Sequence, residues 1–431
     1  MSSVRFEPAG PLRGSLRPPS DKSISHRAAL IAAMGEGTSK VFRILEAADT
    51  LSTLDAVRGL GATVERLEGV VGEPAYSIRG VGLRGARASA IDVGNAGTLL
   101  RLLPGWLAGQ VGEEWVLDGD DSIRQRPVDR IAVPLGLMGA KLRCREDRLP
   151  PLEISGAPLR GIEYELPIAS AQVKSCLLFA ALLAEGETRI HEPQRTRDHS
   201  ERMLAAAGAR ISREDDVVVA RPEERLHLGQ MIVPVDFSSA AFPMVAALLV
   251  SDSEVELHEV GLNPTRTGLL TILQRMGARI EVEDEGEESG EKIGQLVAFE
   301  SELQATEVSG AEIPLAIDEL PLVALAACFA EGTTVIRDAE ELRRKESDRI
   351  ETVTAALRAL GGKIEATADG MEIEGTGGLV GGSIESHGDH RIAMLGAVAG
   401  LASREGVEVH GMDAAAVSYP GFEADLNSLL A

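Results

Sequence analysis

The sequence is poor in aromatic residues, in cysteine and in long hydrophobic runs. Only 3% of the 431 residues are Phe, Trp or Tyr, and the three cysteines, Cys144, Cys176 and Cys328, lie far apart. Widely separated thiols of odd number argue against a disulfide framework and against a zinc site. Cys176 and Cys328 lie in apolar stretches, so we expect them to be core thiols. Even the longest apolar runs, such as residues 322–330, are too short to span a bilayer.

Positive charge is also scarce, since the formal net charge is −24. This balance argues against a nucleic-acid partner or an acidic membrane surface, and any anionic ligand needs a local cluster of cations inside a cleft. The N-terminal residues show no apolar signal region, so we expect a cytoplasmic protein. A hydrophobic content of 44% with 46 glycines fits an α/β chain of two or three domains with many tight turns.

Internal repetition is the strongest signal in the chain. A polar cap, an apolar helix, a glycine turn and a strand recur, and the turn glycines return at a period of about 74 residues. Each copy continues with an amphipathic helix that ends at a Gly-Ala or Gly-Gly pair, a typical helix stop. The first halves of the copies cover residues 22–44, 95–117, 170–191, 238–258, 318–337 and 389–410.

The repeats predict an α/β fold of two domains, each with three units whose buried parallel helices lie inside and whose sheets lie outside. The last copy stops where its final strand is due, so we expect the N-terminal segment 4–17 to complete it. The first domain then covers 20–233 and the second covers 1–19 and 234–431, with the active site in the cleft between them. An ordinary doubly wound sheet is the alternative, but it does not predict polar-capped buried helices in every copy.

The polar caps carry cations at helix N-termini, which favour anions. In the first copy, DKSISHR (21–27) leads straight into an apolar helix. If the helix N-termini share one face in each domain, cations that are scattered in the sequence converge there, namely Lys22, Arg27, Arg101, Lys174 and Arg391, with others from the loops 124–127 and 343–349. Such a cluster in an acidic chain predicts a small polyanion as ligand and a clamp-like closure.

Each feature also has a simpler interpretation. The segment GNAG (94–97) is compatible with a tight turn alone, and Asp318 ahead of Pro321 is compatible with a helix cap. The charge run 345–349 fits a solvated helix start, as most charge runs do. The sequence has no Ser-His-Asp arrangement, metal-ligand set or dinucleotide fingerprint, so we expect neither a metal nor an organic cofactor.

Motifs that follow one another in order and on a single period make the chain resemble the 5-enolpyruvylshikimate-3-phosphate (EPSP) synthase family from about residue 12 to residue 422. They are DKSISHR (21–27), GNAGT (94–98), RP (126–127), SAQVKS (170–175), TRDH (196–199), NPTRTG (263–268), KESDR (345–349) and DHR (389–391). The resemblance implies the inside-out α/β barrel of enolpyruvyl transferases, with two domains closing on the substrates. It implies an enzyme of the shikimate pathway, which makes chorismate and the aromatic amino acids. That enzyme transfers the enolpyruvyl group of phosphoenolpyruvate to the 5-hydroxyl of shikimate 3-phosphate and releases phosphate.

The resemblance also assigns residues to the substrates. Shikimate 3-phosphate would be held by Lys22, Ser23, Arg27, Ser170, Ala171, Gln172, Arg197, Asp318 and Lys345. Phosphoenolpyruvate would be held by Lys22, Gly97, Arg126, Gln172, Arg349 and Arg391. Asp318 is implied as the base that takes the 5-hydroxyl proton. The acid that protonates the methylene carbon stays open among Glu346, Lys22 and Lys345.

One position departs from the family pattern. Some members carry a lysine two residues before an aromatic-proline pair near the C-terminus, and the matching residue here is Val417, ahead of Tyr419. More of the neutralisation of the phosphoenolpyruvate phosphate is then expected from Arg126 and Lys345. Gly97 predicts sensitivity to the herbicide glyphosate, because a family member with alanine there tolerates the herbicide better by crowding it.

There are two rival functions, one close in chemistry and one from another class. A transferase for UDP-N-acetylglucosamine uses a cysteine in a mobile loop, and Cys144 is the candidate in the first domain outside a buried-looking helix. A non-catalytic sugar-phosphate sensor needs the cations but no acid and base, so Asp318 and Glu346 argue against it. We expect a monomer, because the repeat scheme leaves no obvious apolar face uncovered.

Overall fold

The computed structural model of the protein describes residues 3–67 and 73–430. The chain forms two compact units. Unit A comprises Ser20–Val233 and Glu287–Glu291, and unit B comprises Met1–Pro19, Pro234–Gly286 and Lys292–Ala431. The predicted second domain includes residues 287–291, which the compact units place with unit A. Within unit A, the buried Glu291 carboxylate lies 2.7 Å from His199 Nδ1, a long-range contact that the repeat pattern does not reveal.

The helices alternate between long buried ones and amphipathic ones. In the described ranges they are α1 (Lys22–Met34), α2 (Ala48–Gly59), α3 (Gly97–Leu107), α4 (Asp129–Leu137), α5 (Ala171–Ala181), α6 (His199–Ala206), α7 (Phe237–Leu249), α8 (Gly268–Arg275), α9 (Ile313–Ala316), α10 (Leu320–Phe329), α11 (Arg349–Ala359), α12 (His390–Ala402) and α13 (Phe422–Ser428). Helices α1, α3 and α5 of unit A and α7, α10 and α12 of unit B are buried along most of their length. These are the apolar helices that the repeat predicts.

The strands are short and mostly alternate between buried and more exposed residues. They are β1 (Ser3–Phe6), β2 (Arg13–Leu16), β3 (Thr38–Phe42), β4 (Thr63–Arg66), β5 (Ala75–Arg79), β6 (Ser89–Asp92), β7 (Glu114–Asp118), β8 (Lys141–Arg145), β9 (Leu149–Ser155), β10 (Glu163–Glu165), β11 (Thr188–His191), β12 (Ile211–Glu214), β13 (Val217–Ala220), β14 (Gln230–Ile232), β15 (Glu254–Gly261), β16 (Arg279–Glu288), β17 (Glu291–Phe299), β18 (Glu307–Val308), β19 (Thr333–Ile336), β20 (Lys363–Ala366), β21 (Met371–Glu374), β22 (Gly382–Glu385) and β23 (Val407–His410). Such alternation places one face of each sheet against the helices and leaves the other to solvent.

The sheets repeat one topology. In unit A the strand orders are β14-β3-β5-β4, β6-β7-β9-β8 and β10-β11-β13-β12. The first pair of each is parallel and the others are antiparallel. Unit B has β16-β17-β15-β2, β18-β19-β21-β20 and, among the described residues, the three-stranded sheet β1-β23-β22. The structure therefore consists of helices inside and sheets outside, in repeated units, as predicted.

The N-terminal segment completes the last repeat only in part. Strand β1 pairs antiparallel with β23, as expected for a strand that the last copy lacks. Strand β2, which the prediction placed in the same sheet, pairs instead parallel with β15 at the edge of another sheet of unit B. The segment thus serves two sheets of one unit.

Each unit has its own hydrophobic core. In unit A the core is built around α1, α3 and α5, and in unit B around α7, α10 and α12. Within residues 3–67 and 73–430, no helix combines the length and the hydrophobicity needed to cross a bilayer.

Candidate active site

The first group of predicted site residues lies at the start of α1 in unit A. The Asp21 carboxylate accepts a hydrogen bond from the Ile24 amide at 2.7 Å, which caps the helix and makes Lys22 its first residue. Lys22 and Ser23 therefore lie in the first turn, and Lys22 Nζ lies 3.3 Å from the Asp49 carboxylate. A helix N-terminus that carries an ammonium and a hydroxyl is a suitable site for an anion.

Arg27 lies one turn further along α1 and is buried. Its guanidinium donates to Ser200 Oγ at 2.7 Å and to Ser175 Oγ at 3.0 Å. Burial lowers the pKa of Arg27 to about 10, and the charge of Arg197 adds to the effect. Arg27 still carries its charge at neutral pH, and the two hydroxyls fix its direction.

The start of α5 carries the next predicted residues. The Ser170 hydroxyl caps this helix by accepting from the Val173 amide at 3.4 Å, and Ala171 and Gln172 form its first turn. Gln172 Oε1 accepts from Arg101 Nη1 at 2.7 Å, which fixes the orientation of the amide. Arg101, predicted as part of the cation cluster, thus pairs with a predicted substrate residue.

Gly97 is the first residue of α3 and lies close to Arg126. A Cβ atom on Gly97 would lie 2.6 Å from Arg126 Nη1, so the observed position of this guanidinium depends on the missing side chain. Arg126 Nη2 also donates to Asn95 Oδ1 at 3.0 Å. The GNAG segment therefore contacts and positions Arg126, in addition to forming a turn.

Lys174 does not join the predicted cation cluster. Its ammonium is fully buried and lies 2.9 Å from Glu192 and 2.6 Å from Glu201. Glu192 also accepts from the amide and the hydroxyl of Thr196, at 3.1 Å and 2.6 Å. The prediction for Lys174 is wrong because two carboxylates of the same repeat neutralise it; the ion cluster instead anchors the loop that carries Arg197.

In unit B, cations surround the carboxylate of Asp318. Its oxygens lie 3.3 Å from Arg349 Nη1, 3.5 Å from Lys345 Nζ, 3.8 Å from Arg266 Nη1 and 3.9 Å from Arg391 Nη2. Helix α10 begins two residues later, and its N-cap residue Glu319 makes no side-chain capping bond. The Asp318 carboxylate belongs to a charge cluster, which a helix cap alone does not explain.

Arg349 connects the candidate base with the candidate acid. It is buried, and its guanidinium lies 3.3 Å from Asp318, 2.6 Å from Glu346 and 2.8 Å from Asp389. Burial opposes the charge, but the carboxylates of Glu346, Asp389 and Asp318 outweigh it and raise the pKa of Arg349. This residue is a permanent cation, and the run 345–349 is more than a solvated helix start.

Arg391 lies in the first turn of α12, which Asp389 caps by accepting from the Arg391 amide at 3.0 Å. Its Nη1 donates to the Asp318 carbonyl oxygen at 2.9 Å and to Glu319 Oε1 at 3.3 Å. The site prediction omitted Glu319 and Arg266. Glu319 is the neighbour of Asp318 in the sequence, and Arg266 lies inside the NPTRTG motif. Their charge partners come from distant segments, so only the structure identifies them.

Taken separately, the two groups differ in chemistry. The group in unit A offers helix N-termini, hydroxyls, an amide and arginines, which suits a phosphorylated, hydroxylated ligand. The group in unit B offers carboxylates among arginines and a lysine, which suits proton transfer next to an anion. Among the described residues, no group of three or more His, Cys, Asp or Glu side chains is placed to hold a metal ion.

Cys144 does not fit the role of a reactive thiol. It lies in β8, and burial raises the pKa of its thiol to about 11, with the charges of Asp129 and Asp147 adding to the shift. A thiol with such a pKa is almost entirely protonated at neutral pH and is a poor nucleophile.

Comparisons with known proteins agree with the motifs. The model of the family described as EPSP synthase (3-phosphoshikimate 1-carboxyvinyltransferase) matches residues 6–426. Proteins named 3-phosphoshikimate 1-carboxyvinyltransferase are similar along the chain: that of Roseiflexus castenholzii is 50% identical over 95% of this chain and 96% of its own. One from Thermus thermophilus is 48% identical over 100% of both chains. A solved EPSP synthase from Acinetobacter baumannii matches with a TM-score of 0.88 and 42% identity, over 100% of this chain and 98% of that chain.

Proposed function

The chain belongs to the EPSP synthase family, and we propose that the residue groups of units A and B carry out that family's reaction. The chain is an enolpyruvyl transferase of the shikimate pathway, which leads to the aromatic amino acids. It transfers the enolpyruvyl group of phosphoenolpyruvate to the 5-hydroxyl of shikimate 3-phosphate and releases phosphate. The fold is the two-domain inside-out α/β fold of this family.

The group in unit A is proposed to hold shikimate 3-phosphate. Lys22, Ser23 and Arg27 come from α1, and Arg197 comes from the loop before α6. The helix N-terminus, with an ammonium, a hydroxyl and a buried guanidinium, supports a phosphate there. Ser170, Ala171 and Gln172 at the start of α5 are proposed to bind the phosphate and the ring.

Phosphoenolpyruvate is proposed to bind to the guanidinium groups of arginines from both units. Arg126 packs against Gly97 in unit A, while Arg349 and Arg391 lie in unit B. Planar guanidinium groups match carboxylate and phosphate oxygens in pairs. Because both substrates must meet for reaction, we propose that units A and B are the two domains of the family and close on the substrates. Val417 supplies no charge, so Lys345 and Arg126 are proposed to take a larger share of the phosphate charge.

The proton transfers are assigned to unit B. Asp318 is proposed to accept the 5-hydroxyl proton while Glu346, assisted by Lys345 or Lys22, delivers a proton to the methylene carbon. The tetrahedral adduct then expels phosphate as the two groups reverse their roles. Arginines stabilise the anionic oxygens through both steps. The observation that carries the proposal is that Asp318 and Glu346 contact the same buried guanidinium, Arg349.

The proposed reaction has a direct test. Mixing the protein with phosphoenolpyruvate and shikimate 3-phosphate should release inorganic phosphate in step with loss of phosphoenolpyruvate, and omission of either substrate should abolish release. Binding of both compounds without phosphate release would instead indicate a sugar-phosphate sensor.

The assembly and compartment are further proposals. We propose a cytoplasmic monomer that is inhibited by glyphosate. Light scattering of the purified protein should give the mass of one chain, and a mass of two chains would contradict the monomer.

A further inference from the structure

Glu319 is a fully buried carboxylate with no role in the reaction described above. Its two oxygens each lie 3.1 Å from Arg266 Nη1, and Oε1 lies 3.3 Å from Arg391 Nη1. The Ser238 hydroxyl also donates to Oε1. A buried carboxylate is costly unless cations and hydrogen bonds compensate it, so this arrangement depends on all three partners.

The two arginines around Glu319 have different surroundings. Arg266 is buried, and besides Glu319 it lies 3.5 Å from Asp236 and 3.8 Å from Asp318, so carboxylates enclose it. The Arg391 guanidinium donates through Nη1 to the Asp318 carbonyl oxygen at 2.9 Å and to Glu319 Oε1 at 3.3 Å. Arg391 is therefore held through one of its two terminal nitrogens, next to the candidate base Asp318.

We propose that Glu319, backed by Arg266, is a positioning residue that fixes the Arg391 guanidinium for phosphoenolpyruvate. This inference rests on the proposed function, in which Arg391 binds that substrate. An arginine side chain carries about 2 kcal/mol of rotamer entropy, which is lost when it clamps a ligand. Fixing the side chain before binding reduces that loss at the binding step.

Arg266 is necessary because Glu319 alone would harm an anion site. A lone carboxylate would neutralise Arg391 and repel the phosphate and carboxylate of phosphoenolpyruvate. Arg266 contacts both oxygens of Glu319 and offsets much of its negative charge, so much of the charge of Arg391 stays available for the substrate. The Glu319–Arg266 pair thus orients the Arg391 guanidinium without neutralising its charge.

The test is steady-state kinetics of Glu319→Gln in the full-length enzyme. Glutamine keeps the size of the side chain but removes the charge that holds Arg391. The KM for phosphoenolpyruvate should rise at least about tenfold, the scale of one lost charge-assisted contact, while the KM for shikimate 3-phosphate and kcat stay within about threefold. Arg266→Lys keeps the charge on a shorter side chain but loses Nη2, which lies 3.5 Å from Asp236, and should give a smaller rise of the same KM.

The matched control is Glu312→Gln, which removes a carboxylate from another ion pair of unit B, with Arg275 at 2.6 Å, and should change neither KM. An unchanged phosphoenolpyruvate KM in Glu319→Gln, or an equal rise for both substrates, would overturn the inference. If Glu319→Gln shows no cooperative unfolding, Arg266→Lys decides by the same criterion. Failure of the proposed function is distinct, since the wild-type enzyme itself would then release no phosphate.

Discussion

At the scale of single residues, Gly97 sets the position of Arg126. The Cβ of Gly97→Ala would lie 2.6 Å from Arg126 Nη1, but a guanidinium is the flexible end of its side chain and can shift. We expect the protein to fold normally while phosphoenolpyruvate and glyphosate bind less well. The loss of one charge-assisted hydrogen bond costs about 1.5–3 kcal/mol, so inhibition by glyphosate should weaken at least about tenfold.

The matched control for this variant is Gly136→Ala. Gly136 lies inside α4, and a Cβ there would meet nothing within 4 Å, so neither substrate nor inhibitor binding should change. Inhibition curves for wild type and both variants check the prediction. Equal sensitivity of Gly97→Ala and wild type would contradict the role given to this contact.

At the scale of elements, the buried ion cluster of Lys174, Glu192 and Glu201 joins α5, α6 and the loop that carries Arg197. Burial opposes the charge on Glu192, but Lys174, Thr196 and Arg213 outweigh it and lower the pKa of this carboxyl. Because the pKa of Glu192 is lower in the folded protein than in the unfolded chain, its charge interactions stabilise the fold fully above the unfolded pKa, near 4.5. This stabilisation is lost as the pH falls through the folded value. The pKa of the neighbouring Glu201 carboxyl shifts in the opposite direction, because burial raises it.

Glu192→Gln should therefore destabilise the protein most at neutral pH. Breaking a buried ion pair costs about 3–5 kcal/mol, and we expect a loss of that order in urea unfolding at pH 7. The difference from wild type should shrink as the pH falls below 4.5, where Glu192 of the unfolded chain takes up a proton, and should be lost once the pH passes the lower folded-state pKa. Glu374→Gln removes an exposed partner of Lys363 and should cost less than about 1 kcal/mol at any pH. A difference that does not depend on pH would contradict the assignment.

The sequence predicted the elements better than their ends. Apolar runs with polar caps predicted α1, α5 and α12 because their caps, Asp21, Ser170 and Asp389, act through local hydrogen bonds. For α7 the cap is Asp236, whereas the predicted copy begins with its polar cap at Ser238, which lies in the first turn of the helix. Several polar residues stand close together there, and spacing alone does not decide which of them turns back to cap the helix.

Charge partners were the least predictable part of the site. Lys174 and Arg101 look alike in the sequence, as single cations within a polar helix start. One is buried between Glu192 and Glu201, while the other donates to Gln172. Such pairings depend on which repeats become neighbours, and periodicity does not contain that information.

At the scale of the whole molecule, folding should be linked to substrate binding. If unit A holds shikimate 3-phosphate by itself, this substrate alone should stabilise the protein against unfolding. Ligand at about 100 times its dissociation constant adds about 2.7 kcal/mol when it binds the folded state only. Thermal unfolding with increasing shikimate 3-phosphate checks this, with shikimate as the control that lacks the phosphate. No shift of the midpoint with shikimate 3-phosphate would contradict a preformed site in unit A.

Connections between distant segments escaped the repeat pattern. Strand β2 joins β15 although the two are far apart in the sequence, and Glu287–Glu291 belongs to unit A although its neighbours belong to unit B. The periodic signal determines what each unit looks like. It does not determine which strand edge an unpaired segment will complete.

We propose that Asp318 acts as a base amid cations and that, although the resemblance places it beside shikimate 3-phosphate, it contributes little to the affinity for that substrate. The most direct measurement compares turnover and shikimate 3-phosphate binding of Asp318→Asn with those of wild type, with the exposed Asp284→Asn of unit B as control. Loss of a general base should lower kcat at least about a hundredfold, while the dissociation constant of shikimate 3-phosphate changes by less than about threefold. Undiminished turnover in Asp318→Asn would contradict the account.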